Sequence, residues 1–219
     1  MTTRRFITEE LNGLQVKIDE LAEDTKNVLK QSVDALFNKD IESAQSIIDN
    51  DHFFNQKEQV INETAMILIA KQQPVATDLR RLIIAIKISA DLERMADHAK
   101  NIAKSTKRLG ADHNITVNPE IEEMANIAIK MVDIARKAFE TEDITLAKEL
   151  ATNDDIIDGK YGEVTRKLLE ETANNPEQIQ HIMQMAFTSR YIERYADHIT
   201  NIGESIFYLV KGVSYDLND

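Results

Sequence analysis

The chain has 219 residues, with 38 Asp and Glu against 26 Lys and Arg, for a formal net charge of −12. That sign works against gripping a phosphate backbone, so nucleic acid is not an expected partner. Cysteine is absent, which removes disulfides, thiolate nucleophiles and sulfur-ligated zinc or iron–sulfur centres and leaves any metal to oxygen or imidazole.

Only six glycines and three prolines occur, a composition suited to long helices with few tight turns, and the expected class is all-α. Helical spacing of apolar residues predicts a first segment from about Ile7 to Asn38, carried by Leu11, Leu14, Ile18, Leu21, Val28, Leu29, Val33 and Leu36. Asp40 is an N-cap candidate for a second segment, from Ile41 to about Lys71, which Gln72, Gln73 and Pro74 end. A third runs from about Val75 to Leu109. Gly110 and the polar stretch after it mark a hinge, and Asn118-Pro119-Glu120 is a helix start. The order then repeats: Pro119 to about Thr141, Ile144 to about Ala173, and Pro176 to about Lys211, with Asn175-Pro176-Glu177 copying the earlier start signal. Short links between long helices imply antiparallel neighbours, hence two tandem three-helix bundles, residues 1–112 and 113–219. No apolar run suggests a signal peptide or approaches the roughly 20 residues that span a bilayer, so a cytoplasmic chain without membrane insertion is expected.

The duplication is sharpest at ERMADHAKNIA, residues 93–103, and ERYADHITNIG, residues 193–203. Further pairs support it: Asp40-Ile41 answers Asp143-Ile144, and Asn50-Asp51 answers Asn153-Asp154. In the third helix an apolar stripe through Leu79, Leu82, Ile83, Ile86 and Ala90 continues as Glu93, Asp97 and Asn101. The sixth helix behaves alike, leading from Ile182 and Ala186 into Glu193, Asp197 and Asn201. Carboxylates four residues apart on a helix repel and call for a positive charge between them. Two readings remain open. A salt-bridge network could use Arg80, Arg81, Lys100, Arg190 or Arg194; a hard cation could use the same oxygens, with Asp51, Asp154, Asp155 and Asp158 offered by a neighbouring helix. His98 and His198 stand roughly 140° away from the glutamates on an ideal helix, and the expectation for them is a surface or capping role.

Catalytic patterns are missing. No histidine has a glutamate three residues before it, as a ferritin-like di-metal oxidase needs, and no nucleotide-binding loop, nucleophile elbow or H-E-x-x-H motif occurs. A metal-dependent enzyme and a purely structural helical protein are the rivals to a non-catalytic adaptor.

The stretch LIAKQQPVATDLRRLIIAIKISADLERMADHAKNIAK, residues 68–104, and its second copy, RYIERYADHITNIGESIFYLVKG, residues 190–212, resemble the PhoU family of phosphate-transport accessory proteins. The resemblance implies carboxylate-bound metal on the bundle surface, with Glu93, Asp97, Glu193 and Asp197 as core ligands. Asn101 and Asn201 match the family's following Asn, and Asp51 and Asp154 its acidic position in the second helix of each repeat. Ala96 and Ala196 stand where family motifs commonly have Gly. Glu204 returns to the ligand face of the second repeat where the first has Lys104, so the second cluster is expected to be the richer. By the same resemblance the chain is expected to be a non-enzymatic regulator linking the ATPase of a phosphate ABC transporter to a membrane sensor histidine kinase and repressing phosphate-starvation signalling. A divalent or trivalent ion (Fe, Mn, Mg or Zn) is its expected cofactor, a homodimer is compatible with it, and phosphate is a weak candidate as direct ligand given the net charge.

Overall fold

Seven α-helices make up two tandem three-helix bundles in a computed structural model that describes residues 2–114 and 116–217, with side chains from residue 7 onward. The first bundle contains α1 (Thr2–Asn38), α2 (Ile41–Asn50) with α3 (His52–Gln72), and α4 (Thr77–Leu109); the second contains α5 (Pro119–Thr141), α6 (Ile144–Asn174) and α7 (Ile179–Lys211). The starts follow local chemistry. Asp40, Asn118 and Asp143 each accept a first-turn backbone N–H, from Ser43, Glu120 and Thr145, and so satisfy a donor with no partner inside the helix.

Three boundaries differ from the sequence reading. The second segment divides at Asp51, which keeps helical dihedrals while the hydrogen-bond ladder is interrupted around it, whereas α6 runs unbroken through Asn153 and Asp154. The third helix opens at Thr77, because Gln73 and Ala76 both adopt positive φ around Pro74. Asn175-Pro176 does not start α7 directly. Asn175 donates its N–H to Glu171 and caps nothing with its side chain, so Pro176–Gln178 form a single 3-10 turn before α7.

Helices α4 and α7 lie antiparallel at the centre: Asp91 meets His198, His98 meets Tyr191, and Lys87 lies over Tyr208. Ala96, Ala99 and Ala196 are buried along them, and Gly203 of α7 lies close against Leu150 and Ala147 of α6. Alanine in place of a motif glycine favours the helix. One apolar core runs through both bundles. Tyr195 is fully buried in it, its hydroxyl donating to the Thr25 carbonyl at 3.1 Å. On the surface, Arg136 grips Asp19 through two hydrogen bonds of 2.7 and 2.9 Å, and Lys26 donates to Asp133 at 2.8 Å, which ties α1 to α5.

Candidate metal centre

In the second repeat α6 offers Asp154 and Asp158, and α7 offers Glu193 and Asp197. Each pair is spaced four residues apart, so both members project from one side of their helix. One oxygen from each of Asp158, Glu193 and Asp197 lies within 4.8 Å of the other two, the one group of this kind among the described residues. Behind them Asp154 is only 5% exposed and Glu193 only 8%. Asp154 Oδ1 is buried without a hydrogen-bond partner, and so is Glu193 Oε2, with Arg194 Nε 3.5 Å away outside hydrogen-bonding geometry. Two arginines reach in from the rim: Arg190 donates to Glu193 Oε1 at 2.9 Å and Arg194 to Asp197 Oδ2 at 2.6 Å. Four carboxylates therefore face two guanidinium groups.

The excess negative charge shows in the protonation of the cluster. Burial, then the charges of Asp158, Asp197 and Glu193, push Asp154 up to about 7. Burial and the Asp197 charge raise both Glu193 and Asp158 above the usual carboxylate range. Buried carboxylate oxygens without donors are costly unless a proton or a cation reaches them. Oxygen-only donors on two helices match what a hard cation accepts.

The first repeat resolves the same problem internally. Lys100 Nζ donates to Asp51 Oδ2 at 2.7 Å and to Asp97 Oδ1 at 2.5 Å, which joins the α2–α3 junction to α4. Although desolvation works against its charge, these two bonds raise the lysine above its ordinary value. Glu93 is raised by burial and by Asp97, and Arg94 stands 3.8 Å from it. Taking Asn50-Asp51 against Asn153-Asp154, the position of Asp158 is held here by Asn55 and that of Lys100, one repeat on, by Thr200.

The remaining sequence candidates have other partners. Asn101 accepts from Lys104 at 3.3 Å, Asn201 donates to Asp91 at 3.4 Å, and Glu204 Oε1 accepts the Leu217 N–H at 3.0 Å. Asp155 is exposed on α6. The surface-or-capping reading of the histidines is corrected. His98 and His198 are half-buried at the α4–α7 crossing, ring centroids 5.5 Å apart. His198 Nδ1 stands 2.9 Å from Asp91, while burial and the neighbouring His198 hold His98 down to about 4. Asp91 and Tyr191 escaped the sequence reading. Each lies seven residues, two turns, before a motif histidine, a relation visible only once the two copies are set face to face.

A family model described as PhoU domain matches residues 18–106 and again residues 121–206. The chain is 32% identical over 218 residues to a phosphate-specific transport system accessory protein PhoU homolog of Clostridium acetobutylicum, covering 99% of this chain and 100% of the relative. It is 29% identical over 206 residues to the phosphate-specific transport system accessory protein PhoU of Escherichia coli, covering 94% and 86%. Among solved structures, the phosphate transport system regulatory protein PhoU from Streptococcus pneumoniae superposes with a TM-score of 0.90 at 30% identity, covering 96% of this chain and 99% of that one. PhoU from Pseudomonas aeruginosa superposes with a TM-score of 0.80 at 28% identity, covering 97% and 99%.

Proposed function

The chain belongs to the PhoU family, and from that premise we propose that it is a non-enzymatic accessory regulator of phosphate transport. In this reading it acts in the cytoplasm as an adaptor between the ATPase of a phosphate ABC transporter and a membrane sensor histidine kinase, and it represses phosphate-starvation signalling while phosphate is plentiful. The observation that carries the reading is the family match in both halves, among relatives named as accessory proteins of phosphate transport. The same pair of matches supports a division into two repeat units, 1–112 and 113–219. Among the described residues no helix is long and apolar enough to cross a membrane, and the charge of −12 suits contact with basic protein surfaces.

The proposal includes a metal held by the second repeat, and the unpartnered oxygens of Asp154 and Glu193 are the observation that favours it. Asp158, Glu193 and Asp197 would be its ligands, with Asp154 behind them. A bound Mg, Mn, Fe or Zn ion would supply the positive charge these residues lack; the all-oxygen donor set suits the harder ions best. Because α6 and α7 contribute the carboxylates jointly, the protonation and pairing of these side chains set the charge and the mutual hold of two helices on this face.

Deleting the gene in its own host and following a phosphate-starvation promoter in phosphate-rich medium tests the regulatory role. Derepression on deletion, reversed by the wild-type gene, is expected; unchanged repression would remove it. A triple variant, Asp158→Ala, Glu193→Ala and Asp197→Ala, should purify folded and free of the metal that wild type carries.

A further inference from the structure

The two repeats carry the same Glu-Arg-x-Ala-Asp-His sequence, yet their acidic faces are satisfied differently. We propose that the first repeat is loaded with its own cation, the Lys100 ammonium, which takes among Asp51, Glu93 and Asp97 the place that the second repeat leaves for a metal, so that the chain binds metal at one repeat only. The inference rests on the reading that the second repeat is a metal site.

Three observations carry it. The Lys100 ammonium contacts one acid from each side of the cleft, Asp51 from the α2–α3 junction and Asp97 from α4. These are the bridging contacts a cation between the two elements would make. Thr200, the corresponding residue of α7, is buried with its hydroxyl turned back to the Asp197 carbonyl at 2.7 Å, and so brings no charge to the second cleft. Lys160, two residues beyond Asp158, is drawn away to Glu123 at 2.6 Å. Finally, of the two clusters the second holds buried oxygens that lack a donor, Asp154 Oδ1 and Glu193 Oε2, while Asp51, Glu93 and Asp97 contribute none. In the first cleft Asn55 stands at the position of Asp158, and Glu58 is the further acid whose charge acts on Glu93.

An ammonium is a compact point charge with three donors, well matched to two carboxylates. Held on the chain, it is present at every metal concentration, and an incoming ion would have to displace it and leave it without partners. The first face is therefore fixed in its neutralised form. Only the second can respond to metal supply, and a partner touching both faces would meet one constant surface and one variable one.

The test uses the full-length protein, stripped with chelator, reloaded with Mn²⁺, desalted and assayed for manganese, with circular dichroism to verify folding. Wild-type content should be unchanged by Asp97→Asn and lost on Asp197→Asn. Lys100→Thr should roughly double the content, the increment vanishing when Asp97→Asn is added. Thr200→Lys should abolish wild-type binding by installing the same internal cation. Loss of wild-type manganese on Asp97→Asn, or unchanged content in a folded Lys100→Thr, would overturn the proposal. If wild type takes up none and Lys100→Thr does, the lysine's blocking role stands while the second-repeat metal site fails; if neither takes it up, both fall.

Discussion

Two helices that share seven of eleven residues across 93–103 and 193–203, α4 and α7, end up with opposite electrostatic outcomes. Around Asp97 the Lys100 ammonium donates to both Asp51 and Asp97, and none of the carboxylates there has a buried oxygen without a donor. Around Asp197 the helix that crosses in front adds two more acids, position 200 is threonine, and two buried oxygens have none. The motif itself is therefore neutral on whether a cation is wanted. What decides is a residue three positions past the Asp and the acids on the neighbouring helix.

Removing the internal cation should sharpen the contrast most. Lys100→Ala leaves Asp51 and Asp97 half-buried with no ammonium, and a loss of about 2–3 kcal/mol is expected by urea denaturation of metal-free protein, less than a fully buried pair would cost. A change under about 0.5 kcal/mol would mean that the lysine is a surface contact.

The second cluster should answer in the opposite direction. Asp154 has its folded-state value raised, so the folded protein holds that proton more tightly than the unfolded chain. Its stabilising contribution is fully present below about pH 4 and is lost as pH rises through about 7. At pH 8 without metal, Asp154→Asn should therefore stabilise by about 1–2 kcal/mol and flatten the stability profile between pH 4 and 7. The same variant should weaken the metal-induced rise in melting temperature. Destabilisation at pH 8 would show that the carboxylate has a donor.

A smaller effect separates the apolar sides of the two motifs, where Tyr195 answers Met95. Tyr195→Phe loses the hydroxyl bond to the Thr25 carbonyl and should cost about 1 kcal/mol without altering metal content. The smallest concerns Gly203, which answers Ala103. A Cβ there would meet Leu217 Cδ1 at 2.8 Å and Leu150 Cδ1 at 3.0 Å, both ends of flexible side chains, with the Ala147 carbonyl oxygen at 3.3 Å. Alanine's better helix propensity offsets that crowding, so Gly203→Ala should fall within about 0.5 kcal/mol of wild type by thermal melting.

The helix order and the duplicated acidic face were legible because they are local. Apolar spacing, the Asp40, Asn118 and Asp143 caps and the Glu93–Asp97 and Glu193–Asp197 spacing all lie within a few turns of one chain segment. What stayed hidden depends on how helices meet. Lys100 was visible as one of five possible counter-charges, yet only the packing of the α2–α3 junction beside α4 brings a second carboxylate, Asp51, onto its ammonium. Asp158 was one acid among several on α6, and packing against α7 selects it over Asp155. The histidines looked peripheral because helical phase turns them off the acidic face. Antiparallel pairing of α4 with α7 makes that other direction the centre of the molecule.

The contrast between the repeats is tested most directly by anomalous diffraction at the manganese edge from crystals of the full chain soaked in Mn²⁺. A peak is expected among Asp158, Glu193 and Asp197, and at the first repeat only the Lys100 side chain between Asp51 and Asp97. A peak at the first repeat, or none at the second, would contradict it.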